Sequence, residues 1–358
     1  MKNQRILSAI LLILLLTPMI FSYQKLHAQE EFTRTEFVIL IDEAHGPFFG
    51  YKELKTTLKY VNETLREKKN ITIYVYSLDG KINASTMIGV DLLLIPPTDG
   101  SVTYTKQEAT WIGRYVMTGG ALLILGAPYI KERKENPDVS VLNNLMLLSN
   151  LSLGFDFYFE AGVGDLVRDE INGQGDIIFV KEEYAADDIR SLFNNINGSL
   201  IVRSSSLRIY DSKDLMTIKM PSTSYRVDGN GDFEYNNSGQ VIFASKEVSD
   251  GLVVALGFGE AFTNLTGVDD EPWNSIEENV IFFTNLIEWM LRLDRWTIKK
   301  VKPAGPLYIY ILIAALPFAV AYPYARVADK RREELEKKRK EEVKISEILK
   351  KIREKEKQ

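Results

Sequence analysis

Asp91-Leu92-Leu93-Leu94-Ile95-Pro96-Pro97, followed after a helical stretch by Gly119-Gly120-Ala121-Leu122-Leu123-Ile124-Leu125-Gly126-Ala127-Pro128, decides the fold of this chain. Each apolar run is too short for a helix, has no polar alternation and stops at proline or glycine. That is the pattern of a strand buried on both faces of a parallel sheet. Between them a helix starts at Thr105 and carries Trp111, Ile112 and Tyr115, then ends at Gly119-Gly120. Strand, helix and strand at this spacing make one βαβ unit.

The same rhythm extends upstream. Phe37-Val38-Ile39-Leu40-Ile41 predicts a buried strand, Tyr51 to Lys68 a helix with Leu54, Leu58, Val61 and Leu65 on one face, and Ile71 to Tyr76 a second strand. Downstream, Val141 to Ser149 reads as a helix. A β-rich excursion then spans about residues 155–247, with short strands at Ile177 to Val180, Leu200 to Val202 and Leu215 to Met220. The α/β rhythm returns in Gly251 to Gly257 and a helix from Ser275 to Leu293. The expected fold class is α/β: a doubly wound parallel sheet with a β-rich insertion and no internal repeat.

The ends set the expected compartment. Residues 1–28 carry Lys2, Arg5, an apolar core and Leu26-His27-Ala28, which fits either a cleaved signal peptide or a retained N-terminal anchor. A linker over 301–306 leads to 19 apolar residues, Leu307 to Ala325, close to the ~20 that cross a bilayer. Pro317 and Pro323 are tolerated in such a span, and Tyr308, Tyr310, Tyr322 and Tyr324 sit where rings favour the interface. The tail, 326–358, holds 14 Lys/Arg against 9 Asp/Glu, so it is expected in the cytoplasm with residues 29–300 outside. Ile345, Ile348 and Ile352 make too short a repeat for a coiled coil, and the basic clusters suit anionic lipid headgroups.

Of the net charge of −5, the tail contributes +5 and the first 28 residues +3, which leaves −13 for residues 29–325. That balance argues against nucleic acid as partner. Seven N-glycosylation triplets lie in the outer segment, at Asn62, Asn70, Asn83, Asn150, Asn197, Asn236 and Asn264. The chain has no cysteine, which excludes disulfides, thiolate metal sites and a cysteine nucleophile, and only two histidines, His27 and His45.

Val90 to Pro97, Thr105 to Tyr129 with its Gly119-Gly120 and Gly126-Ala127-Pro128, the opening Ile41 to Gly46, Val141 to Leu145, Gly251 to Asn264 and Asn285 to Trp289 occur in an order that resembles a class I glutamine-amidotransferase-like domain. More narrowly it resembles the non-catalytic GIFT branch, found in intraflagellar-transport proteins and archaeal membrane proteins of unknown function. The resemblance covers about residues 36–295 and implies a flavodoxin-like sheet. Catalytic relatives place a cysteine on the turn after a buried strand. The corresponding turn here, Gly126-Ala127-Pro128, offers no nucleophile.

Candidate site residues follow from where ligands bind in open α/β sheets, outside the carboxyl ends of the strands. Asp42, Glu43, His45, Gly126 and Glu260 are expected there. Asp42-Glu43-Ala44-His45 also spells a helicase string, but no phosphate-binding P-loop accompanies it. The alternative to a pocket role is that Asp42 caps a turn and His45 makes a structural hydrogen bond. Asp228, Asn230, Asp232 and Glu234 place oxygens at alternating positions, half of a calcium loop and equally an Asp-Gly hairpin. No cofactor beyond that calcium is expected.

The expected function is a non-catalytic extracellular binding or scaffolding subunit, anchored in the membrane beside other membrane proteins. One alternative is an accessory subunit of an oligosaccharyltransferase-like complex, whose lumenal non-catalytic subunit is similar in architecture and around Pro221 to Tyr225. A further alternative is a hydrolase using Asp42, Glu43 and Glu260, which requires burial to split their pKa values.

Overall fold

The computed structural model describes residues 34–131, 133–158, 164–228, 232–235, 239–267 and 270–293. The expected leader, linker, membrane span and tail lie outside them, as do Asn230 and Asn236. Among the described residues no helix is long and apolar enough to cross a membrane.

The predicted strands become β1 (Glu36–Asp42), β2 (Thr72–Leu78), β3 (Leu92–Ile95) and β4 (Ala121–Leu125), with helices α1 (Tyr51–Lys69) and α2 (Lys106–Met117) between them. Helix α3 (Val139–Leu148) follows. The excursion then supplies β5 (Phe155–Phe157), β6 (Leu166–Asp169), β7 (Gly173–Gln174), β8 (Ile177–Val180), β9 (Leu200–Val202), β10 (Leu207–Ile209), β11 (Leu215–Lys219), β12 (Ser224–Val227) and β13 (Phe233–Tyr235). The chain closes with β14 (Val241–Val248), β15 (Gly251–Leu256) and α4 (Glu277–Met290).

The main sheet runs β2-β1-β3-β4-β15-β14-β10-β5, with β11 also on β14. The neighbours from β2 to β15 are all parallel, and β14 returns antiparallel to β15. The architecture is therefore mixed α/β around a largely parallel sheet. The excursion does more than insert. Its strands β5, β10, β11 and β14 extend the main sheet, and the edge expected at residue 247 falls inside β14. The remaining strands make two small sheets, β13-β12-β6 and β7-β8-β9.

Alternation along the parallel strands sorts the core onto both faces. Phe37, Ile39, Ile41, Leu92, Leu94, Leu123, Val254 and Leu256 pack with Leu54, Leu58 and Val61 of α1 and Phe282, Phe283, Leu286 and Ile287 of α4. Leu40, Leu93, Ile95, Leu122, Ile124 and Val253 face the other way, onto Ala109, Ile112 and Val116 of α2 and Leu142 and Leu145 of α3. Covering both faces is what permits unbroken apolar strands. Burying a leucine in either layer contributes roughly 1.5–3 kcal/mol.

The two predicted helix starts have different solutions. Helix α2 begins with a capping box: Glu108 N–H donates to Thr105 Oγ1 (3.2 Å) and Thr105 N–H to Glu108 Oε2 (3.0 Å). Helix α1 begins at Gly50, whose N–H donates to Glu53 Oε2 at 2.9 Å.

Candidate functional site

The order β2-β1-β3 puts the topological switch point between β1 and β3, where open α/β sheets place a ligand crevice. Asp42 ends β1 and is 1% exposed, and His45 three residues on is 4% exposed. His45 Nδ1 lies 2.8 Å from Asp42 Oδ2, and its Nε2 lies 3.5 Å from Glu108 Oε1 at the start of α2. Tyr104 donates its hydroxyl to Asp42 Oδ2 at 2.6 Å and stacks on the imidazole with centroids 3.9 Å apart. Asp42 Oδ1 also accepts from the Ala44 N–H at 3.1 Å, the turn-capping role foreseen as the alternative.

The charges of this cluster are set by burial and by partners. Burial pulls the imidazole pKa down, but the hydrogen bond and charge of Asp42 and the charge of Glu108 outweigh it, so His45 lies above its usual 6.5. Burial pushes Glu108 up, and the Thr105 hydrogen bonds and His45 more than reverse that. Burial and the neighbouring Asp42 hold the Tyr104 phenol well above its ordinary value, so it remains a donor. A catalytic histidine needs one nitrogen on an orienting acid and the other free for the nucleophile. Here both nitrogens face carboxylates, and the arrangement is a closed ionic clamp between β1 and α2.

Glu43 does not join that clamp. Its Oε1 accepts the Tyr51 N–H at 2.7 Å, so the first turn of α1 already holds an anion from its own chain. The loop after β1 then crosses the loop after β3. Phe48 N–H donates to the Pro97 carbonyl and Asp99 N–H to the Gly46 carbonyl, both at 2.7 Å. Gly46 turns this loop at φ +59°, a conformation that suits glycine.

Gly126 and Glu260 form a second cluster, after β4 and β15. Gly126 N–H donates to the Leu256 carbonyl, and Gly259 N–H to the Gly126 carbonyl, at 2.7 and 2.9 Å. A Cβ placed on Gly126 would lie 2.3 Å from Cε1 of Phe157. Phe157 of β5, fully buried, thus occupies the space that any side chain at position 126 would need. Glu260, 1% exposed, is held by two hydrogen bonds from Arg133, at 2.6 and 3.0 Å, and that guanidinium lies 5.0 Å from the Phe48 ring centroid. The three carboxylates proposed for hydrolysis are therefore engaged separately: Asp42 by His45 and Tyr104, Glu43 by α1, Glu260 by Arg133.

The acidic segment joins the antiparallel strands β12 and β13, with Val227 opposite Phe233. Asp228 Oδ1 accepts the Asp232 N–H at 2.9 Å, and Glu234 pairs with Arg226 across the strands. Among the described residues no three His, Asp or Glu gather as metal ligands. Of the glycosylation asparagines, Asn70, Asn150, Asn197 and Asn264 are exposed. Asn62 is half-buried and accepts the Ile73 N–H at 2.7 Å, and Asn83 accepts from Ser85 and Thr86.

Tyr104, Glu108, Arg133 and Phe157 were missed in the sequence. The Thr105-x-x-Glu108 capping box was a legible signal for one of them. The other three act across long sequence separations that no local pattern marks.

No family model matches this chain, and no curated protein matches it. Solved structures that it is similar to include the mmIFT52 N-terminal domain, at 16% identity and TM-score 0.44, covering 71% of this chain and 96% of that one. Another is the cytoplasmic protein STM3548 from Salmonella typhimurium, at 11% identity and TM-score 0.41, covering 71% and 98%. A third is a putative ThuA-like protein from Bacteroides uniformis, at 15% identity and TM-score 0.37, covering 75% and 94%.

Proposed function

We propose that this chain is a non-catalytic binding or scaffolding subunit: a flavodoxin-like, amidotransferase-like domain displayed outside the cell on one membrane span. The observation that carries the reading is Phe157 packed against Gly126, which leaves no room for a side chain at that position of the turn, while Ala127 and Pro128 beside it carry no nucleophilic group. The commitment of both His45 nitrogens supports it. Display outside the cell is supported by the apolar ends, by the basic tail and by four exposed glycosylation asparagines. Partners are then other membrane proteins, with lipid headgroups at the tail and no nucleic acid. Any calcium would bind weakly at the Asp228 hairpin.

The test is crosslinking in intact membranes followed by identification of captured proteins. A defined set of membrane partners, retained by Glu43→Gln and Glu260→Gln variants, is the expected result. A hydrolytic activity of the purified protein that either variant abolishes while it remains folded would overturn the reading. Recovery with a glycosyltransferase, together with lost glycosylation on deletion, would replace it by the accessory-subunit alternative.

A further inference from the structure

Strand β14 has two partners on the edge away from β15. Val241 lies opposite Lys219 of β11 and opposite Leu207 of β10, so the sheet forks at this residue. The register of β11 shifts between Ile218 and Lys219, the kind of irregularity that re-aims a side chain. A cavity of about 540 Å³ opens in the fork, within the range of small-molecule sites.

The lining has an uneven charge. Arg208 is held by Asp156 through two hydrogen bonds, at 2.9 and 2.7 Å, and Arg226 is paired with Glu234. Lys219 lines the same cavity, is half-buried, and its side chain makes no hydrogen bond or ion pair among the described residues. An ammonium beside a cavity with no counter-ion of its own attracts an anion. The other groups are the hydroxyls of Thr217 and Ser212, the Gln240 carboxamide and the Tyr210 ring, which is 62% exposed. The Arg208 guanidinium takes one face of that ring, 5.9 Å from its centroid, and at this exposure the rest of the ring, beside hydroxyls and an amide, suits a pyranose, whose C–H face packs on it while its hydroxyls hydrogen-bond.

We propose that the fork binds a carboxylated sugar of the uronic-acid class, with its carboxylate on Lys219 and its ring against Tyr210. The site uses none of the crevice residues, so it stands whether or not the crevice reading does.

Titration calorimetry on the full-length protein in detergent, with D-glucuronate, D-glucose and acetate as probes, tests this. Glucuronate is expected to bind, and glucose and acetate each at least about tenfold more weakly. Lys219→Met is expected to lower glucuronate affinity about tenfold or more, with Lys219→Arg retaining most of it. Tyr210→Ala, at an exposed position, weakens glucuronate and leaves acetate unchanged. Should Lys219→Met not fold, Tyr210→Ala and Lys219→Arg carry the test. No binding of glucuronate overturns the proposal, as does acetate or glucose binding equally well. Unchanged affinity in Lys219→Met or Tyr210→Ala does so too.

Discussion

Replacing His45 by alanine tests the ionic clamp most directly. The substitution removes the partner of Asp42 at 2.8 Å and of Glu108 at 3.5 Å, together with the stack on Tyr104. Removing one member of a buried pair costs about 3–5 kcal/mol. Asp42 keeps the Tyr104 hydroxyl and the Ala44 N–H, and Glu108 keeps Thr105, so the expected loss is at the low end, about 3 kcal/mol. The loss must depend on pH, and its sign is fixed. His45 titrates above its usual 6.5 in the folded state, so its charge stabilises the fold fully below 6.5 and that share disappears as pH rises through the folded value. Glu108 titrates below its usual 4.5, so its share is present above 4.5 and is lost as pH falls. Between those limits both charges contribute. Urea unfolding followed by tryptophan fluorescence, on wild type and His45→Ala, should give about 3 kcal/mol at pH 5.5. At pH 9 the loss should be smaller, because the charged share falls away as the imidazole loses its proton. Equal losses at the two pH values, or a larger one at pH 9, would show that the imidazole is not charged in the fold and would refute the clamp.

Gly126→Ala should cost about 1–3 kcal/mol from overpacking against Phe157; a Gly126→Ala/Phe157→Leu double variant should lose less than the two single losses combined in urea unfolding. Arg133→Ala should destabilise by about 3 kcal/mol by leaving Glu260 buried without its partner. Arg133→Lys should recover only part, since an ammonium cannot make both hydrogen bonds, and thermal melts of the two variants rank them. Asp165, fully buried against Ser206, has its carboxyl pushed up to about 6 from 3.8 by burial. The fold therefore loses stability as pH rises through that window, by about 3 kcal/mol; Asp165→Asn should abolish that slope, and parallel pH profiles would count against it. Because Asp228 and Glu234 are already engaged, calcium at about 1 mM, an extracellular-module affinity, should leave the melting temperature unchanged.

What this chain settles locally it settles in sequence. The unbroken runs Phe37 to Ile41, Leu92 to Ile95 and Ala121 to Leu125 could only be strands covered on both faces, because no alternation leaves a polar side for water. Helices between them had to be crossovers, and the absence of cysteine excluded thiol chemistry outright. Asp42 and His45 were placed at the right end of the right strand for the same reason, since a strand's carboxyl end follows from its direction alone.

Tertiary structure decided everything that depends on distant pairing. Tyr104 and Glu108 reach His45 only because β1 and β3 are neighbours. Phe157 seals Gly126 while Asn143 of α3 holds its N–H and carbonyl, a contact between segments distant in sequence. The fork at Val241 exists because two strands compete for one edge of β14, an outcome of sheet geometry rather than of any residue's propensity. Residue types named the parts of the crevice. What each part faced was set by packing: Asp42 meets His45 and Tyr104, Glu43 the first turn of α1, and Glu260 the Arg133 guanidinium.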